Sequence, residues 1–319
     1  MNDRILISVI VLSYNREEYV GKAIDSILAQ KVDADIEIVI GDDCSTDNAR
    51  QVLEKYQKQY PEIIKLIFQE ENVGIAANWA TCVKACRGKY ICNCDNDDYW
   101  HNTEKLQLQF DYMEKNPGCN ICATNYRIQN VSTGKTREIK AVIDKSLPLQ
   151  KSIFSRMPSI LNATIMYRAD YLKANMPLDD FIKYRFTLQD WPALMILSAK
   201  TNIDIIPVST ATNCETVSVT RPNSVECLRS RLEKERECFE YCKKFMIEEL
   251  LDEVNKNPNE WNEYVNERVF LLSYRLGDFK SANYYSKIIK GHSLKTKCAK
   301  TKLTFYLYVG LKSLTTKIL

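Results

Sequence analysis

The first 115 residues alternate between two hydrophobic periods, and that alternation restricts the fold more than any other property of the chain. Ile5 to Leu12 is a continuous apolar run of strand length, and between Tyr19 and Leu28 the residues Val20, Ala23, Ile24, Ile27 and Leu28 share one helical face. The pair of patterns recurs as Ile36 to Ile40 followed by a helix from Thr46 to Gln59, which Ser45 or Thr46 can cap. It recurs again as Ile63 to Phe68 with Ile75 to Ala85, and as Tyr90 to Cys94 with Thr103 to Lys115. Short strands that are apolar on both faces, separated by helices of this length, imply an α/β fold with a mostly parallel sheet and helical crossovers. Ligands of such sheets bind at the carboxyl ends of the strands.

Three polar clusters fall at that edge: Ser13-Tyr14-Asn15, Asp42-Asp43, and Asp95-Asn96-Asp97-Asp98. Carboxylates this close raise one another's pKa, and a divalent cation is the usual means of keeping such a group ionised. Hard oxygen ligands suit Mg²⁺ or Mn²⁺, which commonly share their coordination sphere with substrate phosphates. Each cluster alone has a plain structural explanation, as a strand terminator, a helix cap or a polar loop. All three at one edge point to a phosphorylated ligand.

A chain of 319 residues with 45% apolar content accommodates one large α/β domain plus an appendage, or two modest domains. The formal net charge of +3 is too small to argue for nucleic acid, and neither zinc-finger spacing nor an RNA-binding signature is present. The positive excess is local: Phe279 to Leu319 holds nine lysines and no acid or arginine. Twelve cysteines scattered through a chain of this length, with no N-terminal signal peptide, lead to the expectation of a reducing, cytoplasmic compartment. Cys119 and Cys122 have C-x-x-C spacing but lie in an apolar stretch, and the only histidines are His101 and His292, so core thiols are expected rather than zinc. No run reaches the roughly 18 apolar residues of a spanning helix.

Beyond the turn Asn116-Pro117-Gly118 the pattern loosens. Strands are expected near Asn120 to Ile128, Thr136 to Val142 and Asn162 to Tyr167, with a loop around Pro148 and Pro158 and a helix starting near Trp191. A boundary is expected at Arg221-Pro222-Asn223-Ser224, dividing residues 1–222 from a helical region, 223–319, with helices at Leu228 to Phe245, Trp261 to Leu276 and Phe279 to Ile289. Ser273 to Phe279, with Ala282 and Tyr285, is similar to half of a tetratricopeptide-type unit, but one copy falls short of the roughly three a stable array needs. Lys295, Lys297, Lys300 and Lys302 precede an apolar, aromatic stretch, 303–311. Such a segment, within 295–319, suits an anionic membrane surface, docking on the protein itself, or a partner's groove.

The first half of the chain resembles glycosyltransferase family 2, inverting enzymes with the GT-A fold. Ser8 to Asn15 resembles the family's first strand and nucleotide-facing turn, and Glu37 to Asp47 its E-I-I-V-D-D-x-S-x-D segment. Asn72-Val73-Gly74-Ile75-Ala76-Ala77-Asn78 is similar to N-x-G-x-x-x-x-N, and Asp95 to Asp98 to the D-x-D-D metal motif. Leu188-Gln189-Asp190-Trp191 stands where the family carries E-D or Q-D before an aromatic, with Gln189 replacing the commoner Glu. A weaker resemblance extends to residue 222.

What the resemblance implies is transfer of a sugar from a nucleoside diphosphate, most readily UDP, to a glycan or lipid-linked saccharide in bacterial surface polysaccharide synthesis, on the inner face of the cytoplasmic membrane. The implied donor-binding positions are Tyr14, Asn15, Asp42, Asp43, Gly74, Asn78, Asp95, Asp97 and Asp98, with Tyr14 stacking on the base and Asp42 accepting its imide N–H. Asp97, with Asp95, is implied to hold Mn²⁺ or Mg²⁺, and Asp190 to be the catalytic base. Trp100 and Trp191 either frame a sugar or anchor the core. Two other classes carry distinct expectations. A nucleotidyltransferase would show a glycine-rich phosphate loop, which Leu12 to Arg16 lacks, and a non-catalytic nucleotide-binding or scaffolding protein would tolerate loss of the metal and base positions, which are all retained. Acceptor and sugar choice is expected to reside in Asp144 to Ser159 and Pro177 to Arg185.

Overall fold

The computed structural model describes residues 6–156, 160–215, 225–256 and 278–287, with Phe270 and Ser273. The alternating half forms as β1 (Leu6–Ser13), α1 (Val20–Leu28), β2 (Asp35–Asp42), α2 (Ala49–Gln59), β3 (Ile64–Phe68), α3 (Ile75–Ala85), β4 (Tyr90–Asn93), the two-residue β5 (Tyr99–Trp100) and α4 (Lys105–Lys115). It is followed by β6 (Ile121–Asn130), β7 (Thr136–Ile139), α5 (Leu149–Arg156), a 3-10 turn at Asn162–Thr164, β8 (Met166–Arg168), α6 (Ala169–Asn175), α7 (Leu178–Tyr184), α8 (Asp190–Leu197) and β9 (Ile203–Glu215).

Among the described residues nine strands make one sheet in the order β3-β2-β1-β4-β8-β6-β9-β5, with β7 paired to β6. The pairs β1·β2, β1·β4, β2·β3 and β6·β9 are parallel, whereas β8 runs antiparallel to β4 and β6. The parallel half obeys the crossover logic of its apolar strands: Ile7, Val9, Val11, Ile38 and Ile40 share a core with Val20, Ala23, Ile24 and Ile27 of α1. Gly41 is where α3 comes closest to the sheet, since a Cβ there would lie 2.4 Å from Asn78 Oδ1 and 2.5 Å from Cys82 Sγ. The cysteines at 92, 94, 119 and 122 are free and buried, as core thiols are.

Several local expectations are corrected. Neither Ser45 nor Thr46 caps α2, which begins after Asn48 without a side-chain cap, because Ser45 bonds back to Asp42 instead. The segment Asn162 to Tyr167 is a 3-10 turn leading into a short strand. The loop around Pro148 holds α5, and α6, α7 and β9 are additional elements. Strand β9 carries Pro207, which has no N–H to donate; the pairing with β6 jumps from Ile206 to Ser209 across it, a bulge.

The chain divides into two compact units, Met1–Val219 with Tyr241–Ile247, and Thr220–Glu240 with Glu248–Leu319. In the second unit lie most of α9 (Val225–Cys242), α10 (Glu248–Lys256) and α11 (Phe279–Ser286). Asp278 caps α11 by accepting from Ser281 N at 3.1 Å. The expected helix Trp261 to Leu276 falls outside the described residues except for Phe270 and Ser273, which are helical and buried, and the segment 295–319 falls wholly outside. Among the described residues no helix is long and apolar enough to cross a membrane.

A buried carboxylate locks β1, β2 and the turn before β4 together. Glu37 accepts from Ser8 Oγ at 2.5 Å, from Arg87 N at 2.6 Å and from Arg87 Nε at 2.9 Å. Burial would raise its pKa, but these hydrogen bonds and the guanidinium charge outweigh it and hold the carboxyl below its ordinary value. A carboxyl depressed in the folded state stabilises above its unfolded pKa and loses that contribution as pH falls through the folded value. Stability curves of wild type and Glu37→Gln, measured by urea unfolding across pH, should therefore differ most near neutrality and converge below about pH 4.

Candidate active site

The carboxyl ends of β1, β2 and β4 deliver three loops to one edge, and short polar side chains fasten them to one another. Asn15, in the left-handed region at φ 50, donates its N–H to Ser45 Oγ at 3.0 Å and accepts from Thr46 N at 2.8 Å. Asparagine tolerates this conformation better than most residues. Glu17 N donates to Asp47 at 3.0 Å, and Asn48 N to Glu17 at 2.7 Å. The β1–α1 and β2–α2 loops are thus zipped together.

This bracing redefines several candidate residues. Asp42 is 0% exposed, and its carboxylate accepts from Ser45 N at 3.0 Å, Ser45 Oγ at 2.5 Å and Arg50 Nε at 3.0 Å. These bonds make Asp42 a brace of the β2–α2 loop. Asp43, also buried, accepts from Val73 N at 2.7 Å and Gly74 N at 3.0 Å, shaping the turn before α3 where Gly74 takes φ 87. Burial raises the Asp43 pKa despite those two bonds. Asn78 is buried between α3 and β2, donating to Gly41 O at 2.8 Å and accepting from Gln69 at 3.1 Å. Trp100 is a core anchor: its indole donates to Ala163 O at 2.9 Å, and the buried Lys105 ammonium lies 4.2 Å from its ring centroid. Asp98 is buried too, accepting from Cys214 N at 3.0 Å and Asn213 Nδ2 at 3.1 Å, so it fastens the β4–β5 loop to the end of β9.

The half-exposed residues of this edge are Tyr14, Asp95, Asp97 and Trp191, joined by the exposed Asp190. Asp97 pairs with Arg16 at 3.3 Å, and Arg16 also supplies the carbonyl that begins the first turn of α1. Asp95 accepts from Asn162 Nδ2 at 3.1 and 3.4 Å. Burial, followed by the charges of Asp97 and Asp190, pushes the Asp95 carboxyl up to about 7. Asp190 opens α8 and accepts from Trp191 N at 2.7 Å. It reaches solvent, yet the surrounding protein desolvates it enough to raise its pKa. The helix that carries it is held from behind by Gln150, whose amide donates to Met195 O at 2.7 Å and Phe245 O at 2.8 Å.

Asp95 therefore feels the charge of a neighbour on its own loop, Asp97, and of Asp190 from a separate part of the chain. Among the described residues no three His, Cys, Asp or Glu converge as a complete metal cage. Asp95 and Asp97 offer a partial shell of hard oxygens, which fits an ion that completes its coordination on a phosphate. Nearby, Ser13 Oγ is buried without a hydrogen-bond partner. Sequence reasoning overlooked Arg16, Asn93, Asn162 and Gln150; only Arg16 stood beside a recognised motif.

A family model, Glycosyl transferase family 2, matches residues 8–176, more than half of the chain. The chain belongs to this family. An uncharacterised protein of Mycobacterium tuberculosis is 30% identical over 182 residues, 56% of this chain and 53% of that one. Chondroitin synthase of Escherichia coli is 33% identical over 110 residues, 34% of this chain and 16% of that protein. The chain spans about half the length, or less, of these curated relatives. Among solved structures, Staphylococcus aureus TarS 1–349 in complex with UDP aligns with TM-score 0.54 at 19% identity, covering 99% of this chain and 92% of that one. The mannosyltransferase PcManGT of Pyrobaculum calidifontis in complex with GDP-Man and Mn²⁺ aligns with TM-score 0.52 at 12% identity, covering 98% and 88%. The fold of this family 2 member is accordingly GT-A.

Asp95 supplies a direct test of the electrostatics. A carboxyl raised in the folded state leaves the native protein holding more protons than the unfolded chain between the ordinary carboxyl pKa and about 7, so stability falls as pH rises through that window. In metal-free buffer, Asp95→Asn should unfold at a higher temperature than wild type at pH 8, and the gain should shrink as pH is lowered to 4. Calorimetry of the two proteins at both pH values checks it.

Proposed function

We propose that the chain is an inverting, metal-dependent glycosyltransferase that moves a sugar from a nucleoside diphosphate, UDP by preference, to a saccharide acceptor. The observation that carries the proposal is that Asp95, on the loop after β4, feels the charge both of Asp97 on that loop and of Asp190 at the start of α8. A diphosphate and a base have to act from opposite sides of one anomeric carbon, and these carboxylates come to the cleft from different parts of the fold. Support for a metal comes from the partial oxygen shell and from the Mn²⁺ in the mannosyltransferase complex; support for UDP comes from the TarS complex.

In this reading Asp97, with Asp95, holds the divalent cation, which when bound supplies Lewis-acid stabilisation to the departing diphosphate. Arg16, now paired with Asp97, stands ready to share the negative charge that a diphosphate brings. Tyr14 offers a half-exposed ring to the base. The buried braces Asp42, Asp43, Asn78 and Asp98, with the half-buried Asn15, keep the loops from giving way when charge enters the site. Asp190 takes the proton of the attacking acceptor hydroxyl. The acceptor oxygen bonds to the anomeric carbon as that carbon's bond to the phosphate oxygen breaks, and the nucleoside diphosphate leaves with the bonding pair, which inverts the centre in one displacement. Trp191, next to the base and half-exposed, suits the apolar face of a pyranose.

The acceptor is read as a growing surface glycan or lipid-linked saccharide, on the strength of relatives named for polysaccharide synthesis. The lysine-rich segment 295–319 supports work at the inner face of an anionic membrane.

Thermal unfolding with UDP, GDP, CDP, dTDP and ADP, each with and without Mn²⁺, tests the donor side. Ligand at about a hundred times its Kd adds roughly 2.7 kcal/mol, so UDP with Mn²⁺ should raise the unfolding temperature and Asp97→Ala should abolish the shift. No response to any nucleotide with metal would overturn the proposal in favour of a binding role elsewhere on the chain. For the base, Asp190→Asn should retain the UDP–Mn²⁺ shift while losing about 10²–10⁴-fold in transfer rate. The acid limb of wild-type activity should lie above the ordinary carboxyl range, because the base must be ionised and its pKa is raised.

A further inference from the structure

A chain of buried hydrogen bonds ends on Asp95, and its polarity is fixed at the far end. The indole of Trp79, in α3, can only donate, and its Nε1 lies 3.1 Å from Asn93 Oδ1 at the end of β4. That bond assigns the oxygen and nitrogen of the Asn93 amide. Asn93 Nδ2 then faces Asn162 Oδ1 at 3.1 Å, which assigns the second amide in turn. Asn162 Nδ2 is left pointing at both oxygens of Asp95, at 3.1 and 3.4 Å. Trp79, Asn93 and Asn162 are 1%, 3% and 6% exposed, so water has little opportunity to substitute for a lost bond.

We infer that Trp79, Asn93 and Asn162 form a positioning relay that sets the orientation of the Asp95 carboxylate for the metal and diphosphate. The inference rests on the donor reading above. Repulsion from Asp97 and Asp190 would turn a free Asp95 side chain away from the cleft. The relay opposes that turn with an N–H donor anchored through three elements: α3, β4 and the 3-10 turn at Asn162–Thr164. Reversing the Asn162 amide would bring its Oδ1 against the carboxylate, and reversing Asn93 with it would set Asn93 Nδ2 against the Trp79 N–H, a donor–donor contact that fixes the order. The remaining lone pairs of Asp95 stay open for a ligand. None of the three relay residues reaches the reacting atoms, and each acts through Asp95.

The test is a Mn²⁺ titration followed by electron paramagnetic resonance, with saturating UDP present, on wild type, Asn162→Ala and Trp79→Phe, alongside thermal unfolding of each ligand-free protein. Loss of a partner behind a metal ligand typically weakens metal affinity 10–100-fold, and Asn162→Ala should fall in that range. Trp79→Phe keeps the ring packing and removes only the polarity signal, so it should weaken Mn²⁺ binding in the same direction by less. A merely structural role predicts lower unfolding temperatures with unchanged Mn²⁺ affinity in the folded variants, and that result overturns the relay while leaving the donor reading intact. Should Asn162→Ala not fold, Trp79→Phe decides: wild-type affinity in that variant overturns the inference. Failure of wild type itself to bind Mn²⁺ with UDP overturns both the relay and the donor reading.

Discussion

The repulsion that Asp97 and Asp190 exert on Asp95 is the constraint on which the rest of this edge depends. An acid crowded by two others and partly removed from water costs stability unless something opposes its charge. The protein opposes it piecemeal. Arg16 pairs with Asp97, Asn162 donates to Asp95, and the first backbone N–H groups of α8 face Asp190. None of these neutralises the group fully, as the raised pKa of Asp95 records. A site that keeps unbalanced negative charge in a concave setting favours an incoming cation, and a cation there favours an anionic ligand beside it.

A second set of carboxylates has the opposite fate. Asp42, Asp43 and Asp98 are buried and occupied by backbone N–H groups, one hydroxyl, one side-chain amide and one guanidinium. Their acceptor capacity is what allows three loops to pack edge to edge without leaving amide donors unpaired. Asp43 secures the turn before α3, Asp42 the turn before α2, and Asp98 the end of β9. Rigid loops of this kind hold the half-exposed carboxylates at fixed separations, which matters for a reaction that depends on alignment. The motif D-D-x-S therefore serves as loop architecture.

Legibility in the sequence followed locality. The parallel half was readable because each strand is a short apolar run and each helix carries one apolar stripe, so α3 begins and ends at Ile75 and Ala85 as its pattern implied. The Asp95 to Asp98 cluster stood out because residue type and place at a strand end coincide, whereas Asp190 stood out only through the resemblance of Leu188 to Trp191 to the family's motif. Strand β9 was hidden by Pro207 and by Ser, Thr and Asn positions that satisfy a two-sided sheet without an apolar rhythm. Asn93, Asn162 and Gln150 were hidden for a different reason: their importance lies in partners 14 to 97 residues away, which no local window brings together. The same limit left Trp100 open between a sugar contact and a core anchor, since only tertiary contacts such as its bond to Ala163 O decide whether an aromatic residue faces inward.

The most direct measurement is an anomalous difference map at the manganese edge from a crystal of the full chain grown with UDP and Mn²⁺. The account predicts one strong peak in coordinating contact with Asp97 and with the diphosphate, with Arg16 no longer in its 3.3 Å contact with that carboxylate. A peak at another place on the molecule, or UDP bound away from the carboxyl ends of β1, β2 and β4, would contradict it.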